Sequence, residues 1–221
     1  MTTNALIGAF ALLAAMSSGQ DAAVPVEEEP DHRTVFKNDY VQAFRVTLEP
    51  GRATRMHTHA RDDAAVRLST ATVAVDTPGQ PLGPPESRPI GSVSARDNEA
   101  NPLTHRVHNI GTTVFDVVDV QILSRPAGPA APAITTPAAE NATMRVYRYE
   151  LGPGVSTARH AHSRPYLLVA ATDVGLRVTS GEVATQHADR AGDMRWIESA
   201  GTHVLTNAGA GTAILVEFEL K

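Results

Sequence analysis

The chain has 221 residues, 42% hydrophobic and 19% charged, a globular balance with room for one large or two small domains. Its net charge of −5 and scattered lysines and arginines argue against nucleic acid or an anionic membrane as the main partner. There is no cysteine, so disulfides, thiolate metal sites and thiol nucleophiles are excluded, and any metal must be held by His, Asp or Glu.

The N-terminus, MTTNALIGAFALLAAMSSGQ, holds an apolar stretch from Ala5 to Met16. It is too short to span a bilayer but has the length of a signal-peptide core, and Ser17 and Gly19 suit a cleavage site. Residues 1–19 are therefore expected to be an export signal, which implies a periplasmic or extracellular protein without a membrane span. The acidic VEEEPD run that follows makes residues 20–34 read as a solvated linker.

From there on the pattern is β. VQAFRVTLEPG and MRVYRYELGPG alternate and end on a Pro-Gly turn signal, and YLLVAATDVGLRVTSG reads as two strands around a turn. TVFDVVDVQIL and TAILVEFELK read as closing strands rich in β-branched and aromatic residues. DTPGQPLGPPESRPIG reads as a surface loop over one end of its domain. The 15 prolines and 16 glycines, spread along the chain, disfavour long helices. SRPAGPAAPAITTPAAEN is a semi-rigid Pro/Ala linker, placed at residues 125–139. It divides a first domain, 35–124, from a second, 140–221.

The two domains are copies. Aligning Gly51 with Gly154 brings Asn38 onto Asn141, His57 onto His160, His59 onto His162 and Arg61 onto Arg164. A small shift brings HRVHNIG, from His105, onto HVLTNAG, from His203. Both halves thus read Gly-x5-His-x-His, a gap, then His-x3-Asn-x-Gly, a coincidence of two motifs that marks a duplication. Six of the nine histidines occupy repeated positions; His32, His108 and His187 do not.

On a strand, residues i and i+2 share a face, so His57 and His59 point together, as do His160 and His162. His105 and His203, on a later strand, can complete three imidazoles around one point. Neutral imidazole suits Fe, Mn, Zn, Cu or Ni. Four residues past each pair stand Asp63, a candidate carboxylate ligand or a group that orients one, and Tyr166, a poor ligand but a good hydrogen-bond donor. Arg61 and Arg164 lie beside the pairs, either steering an anionic substrate or sitting at the rim. Trp196 reads as a core residue, with an aromatic pocket floor as the alternative.

These residues resemble the cupin superfamily. GRATRMHTHARDD and GVSTARHAHSRPY match its first motif, G-x5-H-x-H followed by a glutamate. GDMRWIESAGTHVLTN keeps Gly192, His203 and Asn207 of its second motif, with Glu198 and Ala200 in place of the usual proline and glycine, and the first copy keeps only His105 and Asn109. The resemblance covers nearly all of residues 38–221 and implies a bicupin: an all-β chain of two tandem jelly-roll barrels. It implies metal ligands His57, His59 and His105, with Asp63, in the first copy and His160, His162 and His203 in the second. The usual glutamate is Asp63 in one copy and Tyr166 in the other, which leans away from the oxalate-type manganese enzymes of the family. The activity implied is dioxygenase-like, or that of a decarboxylase or isomerase, on a small oxygenated organic molecule. Chemistry is expected in the second barrel, whose motif is fuller, with Tyr166 or Arg164 positioning or protonating the substrate. A non-catalytic module binding a metal or small ligand is the alternative, and a homo-oligomer is left open.

Overall fold

A computed structural model of the chain describes residues 22–129, 132–198 and 201–221; the expected export signal lies outside these residues, as does Ala200. The first half forms β1 (Val24–Pro25), β2 (His32–Lys37), β3 (Val41–Leu48), β4 (His57–His59), β5 (Asp63–Arg67), β6 (Thr72–Asp76), β7 (Glu86–Ser87), β8 (Val93–Arg96), β9 (Leu103–Asn109) and β10 (Phe115–Ile122). The second half forms β11 (Ala139–Glu140), β12 (Met144–Leu151), β13 (His160–Ala161), β14 (Tyr166–Ala170), β15 (Val174–Ser180), β16 (Val183–Asp189), β17 (Met194–Ile197), β18 (Thr202–Asn207) and β19 (Ala213–Leu220). One 3-10 turn, Val26–Glu28, is the helical element among the described residues.

Each half supplies two sheets. In the first they run β1-β4-β9-β6-β7 and β2-β3-β10-β5-β8; in the second, β11-β12-β19-β14-β17 and β13-β18-β15-β16. Strands remote in sequence lie side by side, as in a rolled-up sandwich rather than a meander. The tandem jelly-roll expectation holds.

Side chains alternate across the closing strands, and both faces are covered. On β19, Ile214, Val216, Phe218 and Leu220 face outward and pack with Val66, Val118, Val120 and Ile122 of the first half, forming one large core between the barrels. The other face of β19 turns into its own barrel, where Ala213 and Leu215 join Leu151, Leu168 and Leu176. The barrels are therefore joined through an apolar layer, and β10 and β19 read as mostly apolar runs because both faces are covered.

The His-x3-Asn-x-Gly repeat has a structural purpose. Asn109 donates from Nδ2 to the Leu48 and Thr113 carbonyls and accepts from the Gly111 amide; Asn207 does the same with Leu151, Gly211 and the Gly209 amide. Glycine is needed after it because a Cβ at Gly111 would come within 3.0 Å of the Thr72 amide nitrogen.

The reading of residues 20–34 as a solvated linker is corrected. Val24 pairs in parallel with His57, and Val26 and Glu29 are buried, so the described part of this segment is built into the first barrel. Only part of the charge run stays in solvent, because the Glu29 carboxylate accepts hydrogen bonds from the backbone amides of Asp31, His32 and Arg55. The Asn braces yield a test: Asn109→Ala or Asn207→Ala removes three hydrogen bonds at the strand end, although the Gly111 amide keeps its bond to the Thr72 carbonyl. Each is expected to lower the unfolding free energy by about 2–4 kcal/mol, read as a lower urea midpoint.

Candidate metal centres

The register of the strands brings the repeated histidines together. β4 meets β9 with His57 opposite His105, and β13 meets β18 with His160 opposite His203. His59 and His162 follow two residues later on the same faces, so three imidazoles gather inside each barrel.

In the first barrel Nε2 of His57 and Nε2 of His105 stand 3.0 Å apart, and the His59 ring centroid lies 5.1 and 5.2 Å from theirs. Nδ1 of His57 bonds the Arg55 carbonyl at 2.8 Å, and Nδ1 of His59 lies 2.9 Å from Asp63 Oδ2. Asp63 thus stands behind His59, where it also takes a bond from Asn98 Nδ2 at 2.8 Å. Burial, and then the neighbouring His32, lower the His57 pKa to about 4; burial, and then His57, lower that of His105 to about 2. Both rings are therefore held neutral, and their Nε2 atoms face one another where a cation could replace the bond between them.

In the second barrel His160, His162 and His203 face the carboxylate of Glu217 on β19, which is fully buried. Its Oε2 lies 2.9 Å from Nε2 of His162 and 3.4 Å from that of His160, and its Oε1 lies 3.1 Å from that of His203. Tyr149 donates to Oε2 at 2.9 Å, and Glu219 holds Nδ1 of His162 at 3.0 Å. Burial opposes ionisation of Glu217, but the three histidines hold it well below the usual carboxylate range. Burial would likewise lower His162, yet Glu217 and Glu219 together push it up to about 9.

Glu217 was not read from the sequence. The signal was present: the offset that carries His105 to His203 carries Asp119 to Glu217, so each closing strand places an acid on the inward face at the same repeat position. In the first barrel Asp119 lies 3.5 Å from His59 Nδ1, its Oδ1 is buried without a hydrogen-bond partner among the described residues, and burial and then Asp63 raise its pKa. Clustered buried imidazoles with carboxylates close at hand fit a divalent transition ion in either barrel.

Two expected participants are placed differently. Arg164 turns away from the histidines and donates to the carbonyls of Ala127 and Pro129 in the Pro/Ala linker, whose prolines offer few donors of their own. Tyr166 stacks its ring 4.0 Å from that of His162, and burial raises its pKa, so it packs as a neutral phenol against the imidazoles. Arg61 is at the rim, 3.5 Å from the Leu123 carbonyl. Trp196 packs against the core between the barrels. His108 and His187 stay outside both clusters, near Asp76 and Thr185 respectively.

The expectation that chemistry belongs to the second barrel meets a contrary feature. A cavity of about 210 Å³ in the first barrel is lined by His32, His59, His105 and Asp119 and by Arg67, Arg88 and Arg96. Arg67 faces inward from β5, four residues past Asp63. Its Nη1 is buried without a hydrogen-bond partner among the described residues, and its guanidinium lies 4.3 Å over the Phe115 ring.

No family model matches the chain. The beta-alanine degradation protein BauB of Pseudomonas aeruginosa is 32% identical over 90 residues, which is 40% of this chain and 94% of that protein. Salicylate 1,2-dioxygenase from Pseudoaminobacter salicylatoxidans, in its adduct with gentisate, superposes with a TM-score of 0.55 at 12% identity, covering 84% of this chain and 70% of that one. AerE from Microcystis aeruginosa gives 0.55 at 11% identity over 87% and 98%. The two structures share the fold alone.

Metal analysis of the purified full chain is expected to show up to two divalent ions per chain. His57→Ala should remove one, and Glu217→Ala the other. Glu219→Gln, which replaces the carboxylate on His162 Nδ1 by a neutral amide, should weaken the second ion roughly 10- to 100-fold.

Proposed function

Because the chain belongs to the cupin superfamily, as a tandem pair of such barrels, we propose that it is a metal-dependent enzyme of the dioxygenase type. We place its chemistry in the first barrel, on a small organic molecule that carries a carboxylate. One observation carries this reading: a single cavity joins the imidazole cluster to an inward arginine whose Nη1 has no hydrogen-bond partner among the described residues.

Arg67 supplies the recognition. Burial, and then Arg88, lower its pKa to about 10, so the guanidinium remains charged at neutral pH while its surroundings favour a neutralising anion. Its planar fork matches a carboxylate and discriminates against a neutral amide or ester. Arg88 is already held by Glu86 at 2.5 Å, which leaves Arg67 the better placed of the two for an incoming anion. Val73, Leu103, Val107 and Val117 also line the cavity and would shield a bound substrate from water. A cavity of about 150 Å³ accepts one benzene, so the volume here suits one substituted ring or a short chain.

His57, His59 and His105 would hold the ion, with His59 and His105 reaching the cavity wall. When bound, such an ion supplies Lewis-acid polarisation of a substrate oxygen and access to redox chemistry with dioxygen. Asp63 keeps His59 in one orientation. In the second barrel the ligands include a carboxylate already bonded by Tyr149, and Tyr166 is stacked over the imidazoles; these contacts favour a structural ion there. The apolar run from Ala5 to Met16 supports export as part of the same proposal.

The test is oxygen uptake by the Fe(II)-loaded full chain across a panel of hydroxylated carboxylates and their amides. Uptake is expected with carboxylates alone. Arg67→Met should lower kcat/KM by about 10- to 100-fold, the loss of a charge-assisted contact worth about 1.5–3 kcal/mol. Carboxylate binding without uptake under any metal would instead establish a non-catalytic binding protein.

A further inference from the structure

We propose that His32 is a fourth imidazole donor of the first-barrel ion site, delivered by the N-terminal segment rather than by either repeated motif. The proposal rests on the ion-site reading above. His32 opens β2 and is 8% exposed; its ring centroid lies 4.5 Å from that of His57 and 5.7 Å from that of His59. One ring nitrogen from each of these three residues lies within 4.8 Å of the others, close enough to share one ion. His32 also lines the cavity.

The ring is oriented as a ligand would be. Nδ1 of His32 bonds Glu29 Oε2 at 2.7 Å, which places the proton on Nδ1 and leaves the lone pair on Nε2. His57 has the same arrangement with the Arg55 carbonyl, while Nδ1 of His59 lies 2.9 Å from Asp63 Oδ2. Glu29 is 2% exposed and its oxygens also accept from the Asp31 and His32 amides at 2.8 and 2.9 Å and from the Arg55 amide at 3.0 Å. Packing alone does not call for a buried carboxylate, which is costly to desolvate. Here it fixes both His32 and the backbone two residues before His57.

The second barrel reaches the same number of donors by another route. There the fourth group is Glu217, whereas in the first barrel the matching Asp119 lies beside His59 with one oxygen left over. A nitrogen-rich first site and a carboxylate-bearing second site predict different metal preferences, with Cu, Ni or Zn favoured in the first over Mn.

The experiment uses the full chain carrying His160→Ala and His203→Ala, so that one site remains, loaded with Cu(II). Electron paramagnetic resonance is expected to count four coordinating nitrogens in this parent and three after His32→Ala. Chelator competition should show affinity roughly 10- to 100-fold weaker in His32→Ala and in Glu29→Gln. An ion bound with unchanged affinity and nitrogen count after His32→Ala overturns the proposal while leaving the ion site intact. A parent that binds no ion overturns both. Should His32→Ala fail to fold, the nitrogen count of the parent decides alone, and three or fewer overturns the assignment.

Discussion

The site geometry depends on a single constraint, the register in which a short strand carrying His-x-His meets the later strand carrying the third histidine. With His57 opposite His105 and His160 opposite His203, strand pairing brings two imidazoles together edge to face. The pleat then adds the next histidine from the same face. A slip of one residue would turn His57 and His59 out of the barrel together, so the ladder and the ligand set stand or fall as one. The asparagine four residues past His105 and His203 secures that register by tying the end of the strand to neighbouring carbonyls.

The same alternation explains how the barrels combine stability with polarity. Each closing strand gives one face to the core shared between the halves and the other to its own barrel. A carboxylate placed on the inner face is thereby buried under rigid surroundings, and only close partners make this tolerable. Glu217 has three histidines and Tyr149. Asp119 has His59 and a free oxygen. The duplicated position has therefore diverged: one copy is self-satisfied, and the other is left short of partners at the edge of a cavity.

Much of this was legible in the sequence. The duplication, the β class and the six repeated histidines follow from spacing and period, and these are what the strand register uses. The inward acids were hidden because β10 and β19 are covered on both faces, so their alternation of core and polar residues was blurred by apolar neighbours. His32 was missed because it lies outside the repeat, behind an acidic run whose composition suggests solvent; whether a glutamate is buried depends on amides supplied from Arg55, far along the chain. Arg164 sits at a repeated position, yet it is drawn to linker carbonyls that pattern alone could not locate. Arg67 carried a signal, since period two places it on the face of Asp63 and Ala65.

Trp196, the single tryptophan, stacks its ring 5.8 Å from Tyr40 at 18° and 6.2 Å from Phe36 at 28°, both from the other half of the chain. Because its aromatic neighbours come from across the junction, its environment changes if the halves part, even while each keeps its own strands. The molecule thus carries a built-in fluorophore at its seam, whose emission tells separation of the two barrels apart from the melting of either one.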